Sequence, residues 1–144
     1  MEDFSHVRAV RNNNPGNIDR GQNWQGLMPV SRMTPEQRAE PRFCVFEDAA
    51  CGFRAMILIL GSYHRRLKDF TVRSIISTWA PPGENNTQAY IDHVCALTGF
   101  SPDTPLEPNV GTLRALVKAI STHEIGEWYF NDQDLDRGLV LAGS

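Results

Sequence analysis

AISTHEIGEWYF, residues 119–130, reads as the end of an amphipathic helix with Glu124 in its last turn and Gly126 just beyond it. A carboxyl group there faces the negative end of the helix dipole. Ile120, Ile125, Trp128 and Tyr129 lie close in sequence and supply apolar surroundings. Both influences oppose the ionised form and favour the protonated acid that general acid catalysis requires. A second polar cluster, WAPPGENNTQAY (residues 79–90), places a rigid double-proline turn before Asn85, Asn86, Thr87 and Gln88. Uncharged donors and acceptors of this kind suit hydroxyl and acetamido groups, and Trp79 and Tyr90 offer flat faces. A third, RNNNPGNI (residues 11–18), is too polar and turn-rich for a helix interior. Glu47 and Asp48 are adjacent acids, for which solvent and helix capping are the plain explanations.

Other chemistries find little footing. No GxSxG occurs, and Cys44, Cys51 and Cys95 are an odd set at wide spacing, which argues against a disulfide framework and reads as free thiols. The four histidines, His6, His64, His93 and His123, lack the close pairing of a helical zinc site, so neither a metal nor another cofactor is expected.

These residues need elements to position them. Asp48 is placed to cap a helix with Phe53, Met56, Ile57, Leu60 and Leu67 on one stripe. Another helix is predicted from about Thr71 through Val72, Ile75, Ile76 and Trp79, stopped by Pro81–Pro82–Gly83. Asn85 and Gln88 have capping-box spacing for a third, carrying Tyr90, Ile91, Val94 and Leu97 and ending at Gly99. A fourth spans Thr112 to about Glu124, and a short fifth Asp134 to Leu141. Ahead of them, residues 12–48 are rich in Gly, Pro and Asn. There RFCVF alternates with period two and reads as a strand of a small irregular sheet. The expected class is α+β, mostly α, with a small N-terminal β element, in one domain over residues 1–144.

The chain has 144 residues, a net charge of −3 and 41% hydrophobic residues, enough for one core and with no basic excess to suggest nucleic acid. No apolar run approaches the roughly 20 residues of a membrane span. MEDFSHVRAV carries acids and no apolar h-region, so a secretory signal is not expected and synthesis in the cytoplasm is.

Taken in order, RNNNPGNI, Trp24-x-Gly26, Phe43-x-x-Phe46, GFRA (52–55), WAPPGENNTQAYIDHV (79–94) and AISTHEIGEWY (119–129) resemble a family of phage and prophage proteins related to lysozymes and lytic transglycosylases. The resemblance covers almost the whole chain and is also similar to bacterial glucosaminidases. In those, the helix ending in the catalytic glutamate comes first and an Asn-rich turn opening a small sheet follows. Only about ten residues precede RNNNPGNI, and Glu2 is the sole glutamate among them. The resemblance therefore implies a lysozyme-like domain in circularly permuted order, with Glu124 as the catalytic acid and RNNNPGNI as a polar wall across the cleft. The spacing of Thr87 and Tyr90 matches a transglycosylase helix whose tyrosine faces that acid. Tyr90, Asn14, Asn17, Asn86 and Gln88 are the implied substrate-binding residues. Ile125 departs from the family, where a small polar residue is expected.

The implied activity is cleavage of peptidoglycan glycan strands between N-acetylmuramic acid and N-acetylglucosamine. A transglycosylase needs one carboxylate. Hydrolysis usually adds a partner, at roughly 5–5.5 or 6.5–9.5 Å, for which Glu84, Glu47 and Asp48 are candidates. The alternative is an inactive lysozyme-like module that binds glycan or protein; an amidase or endopeptidase lacks its metal site or nucleophile pair. Peptidoglycan is the implied partner. Action at the cell wall implies delivery by a holin lesion, a virion or a secretion apparatus, with the virion, the secretion system or an immunity protein as further partners.

Overall fold

The computed structural model describes residues 7–143; the arguments from Glu2, His6 and the first residues of MEDFSHVRAV lie outside them. Seven α-helices follow in order: α1 (Arg8–Arg11), α2 (Pro35–Arg38), α3 (Ala49–Arg66), α4 (Val72–Trp79), α5 (Thr87–Thr98), α6 (Val110–Ile125) and α7 (Asp132–Leu141). The domain is mostly helical, as its periodicity predicts.

Side-chain caps set the helix starts. The Asp48 carboxylate accepts from the Cys51 N–H and opens α3; Thr71 and Ser74 form a reciprocal capping box at α4. Asn86, Asn109 and Asn131 open α5, α6 and α7 in the same way. Each such cap contributes about 1 kcal/mol. The α5 cap falls one residue later than the sequence suggests, because the Asn85 amide donates to the Pro81 carbonyl instead. Gly99 and Gly126 end α5 and α6 with φ of 79° and 101°, in the left-handed region that glycine enters without a Cβ penalty.

The stripe on α3 is the centre of the core: Phe53, Met56, Ile57 and Leu60 are fully or almost fully buried. Around it pack Val72, Ile75 and Ile76 of α4, Tyr90, Ile91 and Val94 of α5, Leu116, Val117 and Ile120 of α6, and Leu135 and Leu139 of α7. The approach of α7 to α3 is close. A Cβ on Gly138 would stand 2.6 Å from the Phe53 Cβ and 3.0 Å from the Ala50 carbonyl oxygen.

The expected β element takes another form. Among the described residues no strand ladder is present; Asp19 pairs with Phe43 and Leu27 with Phe46 as isolated antiparallel bridges. RFCVF is extended, but its backbone is shared out. The Cys44 N–H donates to the Ile18 carbonyl, Phe46 to Asn12 and Glu47 to Gly26, while Val45 accepts from Met28. Four residues from two stretches, 12–18 and 26–28, satisfy these groups without building a sheet.

Beneath this region lies an ion cluster not apparent in the sequence. Glu40 is 2% exposed and bonds Arg8 (2.6 and 3.0 Å), Arg11 (2.7 Å), the Asn12 amide (3.1 Å) and the N–H groups of Arg42 and Phe43. Burial pushes its carboxyl up, but the Arg8 guanidinium and the backbone donors outweigh it and hold the group well below the usual carboxylate range.

Candidate functional site

RNNNPGNI folds as a wall because its asparagines do different work. Asn13 and Asn17 have φ of 50° and 49°, a left-handed conformation that asparagine tolerates better than most residues. Two such turns within five residues bend the chain back on itself. The Asn13 amide donates to the Phe46 carbonyl at 2.9 Å. Asn14 is wholly buried: its amide nitrogen donates to the Ile18 and Cys44 carbonyls, both at 3.0 Å, and its oxygen accepts from the Ile18 N–H. It therefore locks the loop, and the substrate-binding role suggested for it has no free polar atom.

The wall is pressed onto the helical core at two glycines. A Cβ on Gly52 would meet the Asn13 carbonyl oxygen at 2.7 Å and Pro15 at 2.5 Å, so the first turn of α3 lies directly under the loop. A Cβ on Gly16 would meet Met56 and Trp79 at 2.9 Å. These contacts aim Asn17 outward, toward the end of α6.

At that end stands Glu124. Its Oε1 accepts from the Asn17 amide at 2.9 Å and its Oε2 from the Tyr90 hydroxyl at 2.7 Å. The wall, α5 and α6 thus converge on one half-buried carboxyl group. The side-chain oxygen of Asn17 is buried without a hydrogen-bond partner. Burial, followed by the negative charge of Glu124, raises the Tyr90 phenol far above its ordinary value, so it stays protonated as a donor. The Tyr90 ring stacks on His123 (centroids 3.7 Å apart, 24° between planes), and His123 Nδ1 is 2.9 Å from His93 Nδ1.

Glu124 opens into a cleft of about 340 Å³ that also meets Asn17, Asp19, Arg42, Trp79, Glu84 and Asn85. The two other carboxylates of the cleft are both engaged by Arg42, Asp19 at 2.5 Å and Glu84 at 3.0 Å. Glu47 pairs with Arg32 and Asp48 caps α3, and neither lines the cleft. A second cavity of about 360 Å³ lies beyond the same wall, sharing Asn17, Asp19 and Trp79.

Of the site residues expected from sequence, Glu124, Tyr90 and Asn17 meet, whereas Asn14, Asn86 and Gln88 do not join them. Asn86 spends its side chain on the α5 cap, and the exposed Gln88 bonds Asp92 and Arg73. The apolar setting expected for Glu124 also differs. Trp128 turns to Asp132 (3.0 Å) and Lys118, and Ile120 is core, leaving Tyr90 and the cleft residues beside the acid. Arg42, Asp19 and the His93–His123 pair were missed by sequence reasoning; only the proximity of His123 to Glu124 hinted at the last. Among the described residues no group of three or more His, Cys, Asp or Glu is arranged to hold a metal ion. No described helix is long and apolar enough to cross a membrane.

No family model matches the chain. It is similar to protein P5 of Pseudoalteromonas phage PM2, 32% identical over 137 residues that span 92% of this chain and 80% of that protein. The chain belongs to the protein P5 family. The aligned stretch is long enough to take in most of the Asn17–Tyr90–Glu124 constellation and its supporting helices, so the family likeness extends over the scaffold rather than over an isolated motif.

Proposed function

We propose that this protein cleaves the glycan strands of bacterial peptidoglycan between N-acetylmuramic acid and N-acetylglucosamine, by the lytic transglycosylase route. The observation that carries the reading is one helix-end glutamate with each oxygen held by a neutral donor at the head of a cleft. In this reading the domain is lysozyme-like with its glutamate helix late in the chain order, facing a wall that comes early.

Protonated Glu124 gives its proton to the glycosidic oxygen as the C1–O bond breaks. The resulting carboxylate takes the proton of the muramyl C6 hydroxyl while O6 bonds to C1, closing a 1,6-anhydro ring and restoring the acid. Tyr90 and Asn17 donate to the carboxylate state. When the acid is protonated, a half-turn of the Asn17 amide presents its unpartnered oxygen as the acceptor. Asp19 and Glu84 are tied to Arg42, which supports the one-carboxylate route over a hydrolytic pair.

Digested sacculi test this by mass spectrometry. Anhydro-muramyl ends are expected from the wild type and none from Glu124→Gln. Reducing ends in place of anhydro ends would make the enzyme a hydrolase. Equal release by both proteins would remove Glu124 from the chemistry, and release by neither would leave a glycan- or protein-binding module. In Glu124→Gln the introduced amide can accept from Asn17 and donate to the Tyr90 hydroxyl, so the variant should melt within a few degrees of wild type.

A further inference from the structure

The second cavity has a chemistry of its own. Beyond the wall shared with the Glu124 cleft it is lined by Arg20 and Arg66, with Trp24, Tyr63 and Trp79 as its aromatic surfaces. Neither arginine forms an ion pair among the described residues. Arg66 donates to the Ser62 hydroxyl (3.2 Å) and lies over the face of Tyr63, and Arg20 is exposed. Asp19 is the one carboxylate in the lining, and its charge is already met by Arg42 on the cleft side. The cavity therefore presents two uncompensated guanidinium groups beside apolar surface. A neutral sugar chain makes no use of that charge, whereas a peptide bearing carboxylates does, because a guanidinium binds carboxylate bidentately.

We infer that this cavity binds the carboxylate-bearing stem peptide attached to the glycan while the strand lies in the adjoining Glu124 cleft. The inference rests on the glycan-cleavage reading for its substrate. Its geometric basis is separate: Asn17, Asp19 and Trp79 belong to both cavities, so the two adjoin and a chain in one can send a branch into the other. The peptide branch would then select strands that still carry stems.

The test compares uncross-linked glycan strands bearing free stem peptides with the same strands whose stem-peptide carboxylates are amidated, using wild type and the double variant Arg20→Ala/Arg66→Ala. Wild type should form anhydro-muramyl ends about tenfold faster on the strands with free carboxylates, the effect of one charge-assisted contact. The double variant should lose that preference. Equal wild-type rates on the two substrates would overturn the inference, as would a variant slowed alike on both, which would mean that the sugar chain itself occupies the cavity. Wild type silent on both would instead overturn the cleavage reading. The cavity is then judged alone by tryptophan fluorescence, since Trp24 and Trp79 line it. A saturable change with free stem peptide, lost when its carboxylates are amidated and lost in the double variant, sustains the assignment, and no change in wild type ends it.

Discussion

Asn17 combines a strained backbone with a polar side chain aimed at Glu124, and the two can be separated. Asn17→Gly keeps the φ of 49° at no steric cost and removes the amide; Asn17→Ala removes the amide and adds strain of about 1–2 kcal/mol. Both variants are expected to lose activity, and only the alanine form should show a clearly lowered melting temperature. Unequal activities that follow stability would assign Asn17 to scaffolding alone. Tyr90→Phe keeps the stack on His123 and deletes one bond to the carboxylate, so a loss of about ten- to a hundredfold in kcat is expected with little change in stability. His123 brings in pH. Burial lowers its pKa, the charge of Glu124 opposes this and His93 reinforces it. The Nδ1–Nδ1 contact also needs one unprotonated nitrogen. A histidine whose folded pKa is depressed below the ordinary 6.5 makes the unfolded chain bind more protons on the acid side, so stability falls as pH drops through and below 6.5. Melting temperatures of His123→Phe, which keeps a flat ring on Tyr90, should decline less than those of wild type between neutral pH and about pH 5. Parallel declines would show that the pair carries no such dependence.

The helices were legible where a cap and an apolar stripe coincide, as at Asp48 with Phe53 and Met56 or Thr71 with Ile75. In those places local chemistry and the core demand the same boundary. RFCVF was harder because an extended segment takes its partners from wherever unpaired backbone lies, and here those partners come from two short stretches, 12–18 and 26–28. The asparagines were harder still. Asn14 and Asn17 look alike in RNNNPGNI, yet one faces the interior and the other the cleft, a difference made by two positive-φ turns and the contact with Gly52. Gly52→Ala tests this contact against Gly138→Ala, which crowds α7 on α3 elsewhere. Each should cost about 1–3 kcal/mol by overpacking. Only Gly52→Ala should reduce activity beyond what its stability loss explains, because only it pushes on the wall; equal residual activity at matched fraction folded would refute this.

At the scale of the molecule, the early polar segment is held together by Glu40, which ties α1 to the start of RFCVF. Glu40 is one of two glutamates in PEQRAEPRF, its arginine partners Arg8 and Arg11 are about thirty residues away, and nothing local announces them. Its folded carboxyl is depressed, so its contribution is present above the ordinary value of 4.5 and is lost as pH falls below it. This acid limb is separate from the histidine range above. Glu40→Ala should cost about 3 kcal/mol by leaving Arg8 and Arg11 unpaired, and its melting curve should flatten below pH 4.5; an unchanged slope there would mean another carboxylate governs acid unfolding. The bridges that replace a sheet have one further effect. Without a continuous ladder, the Cys44 and Phe46 amides depend on single bonds to the wall and the Ile18 amide on the Asn14 side chain, while the amides of α3 depend on the whole core. Deuterium uptake should therefore divide the chain into two classes, the wall exchanging through a partial opening and α3 only through global unfolding. A cleft with one wall able to open on its own accord can admit the middle of a polymer sideways, with no chain end to thread.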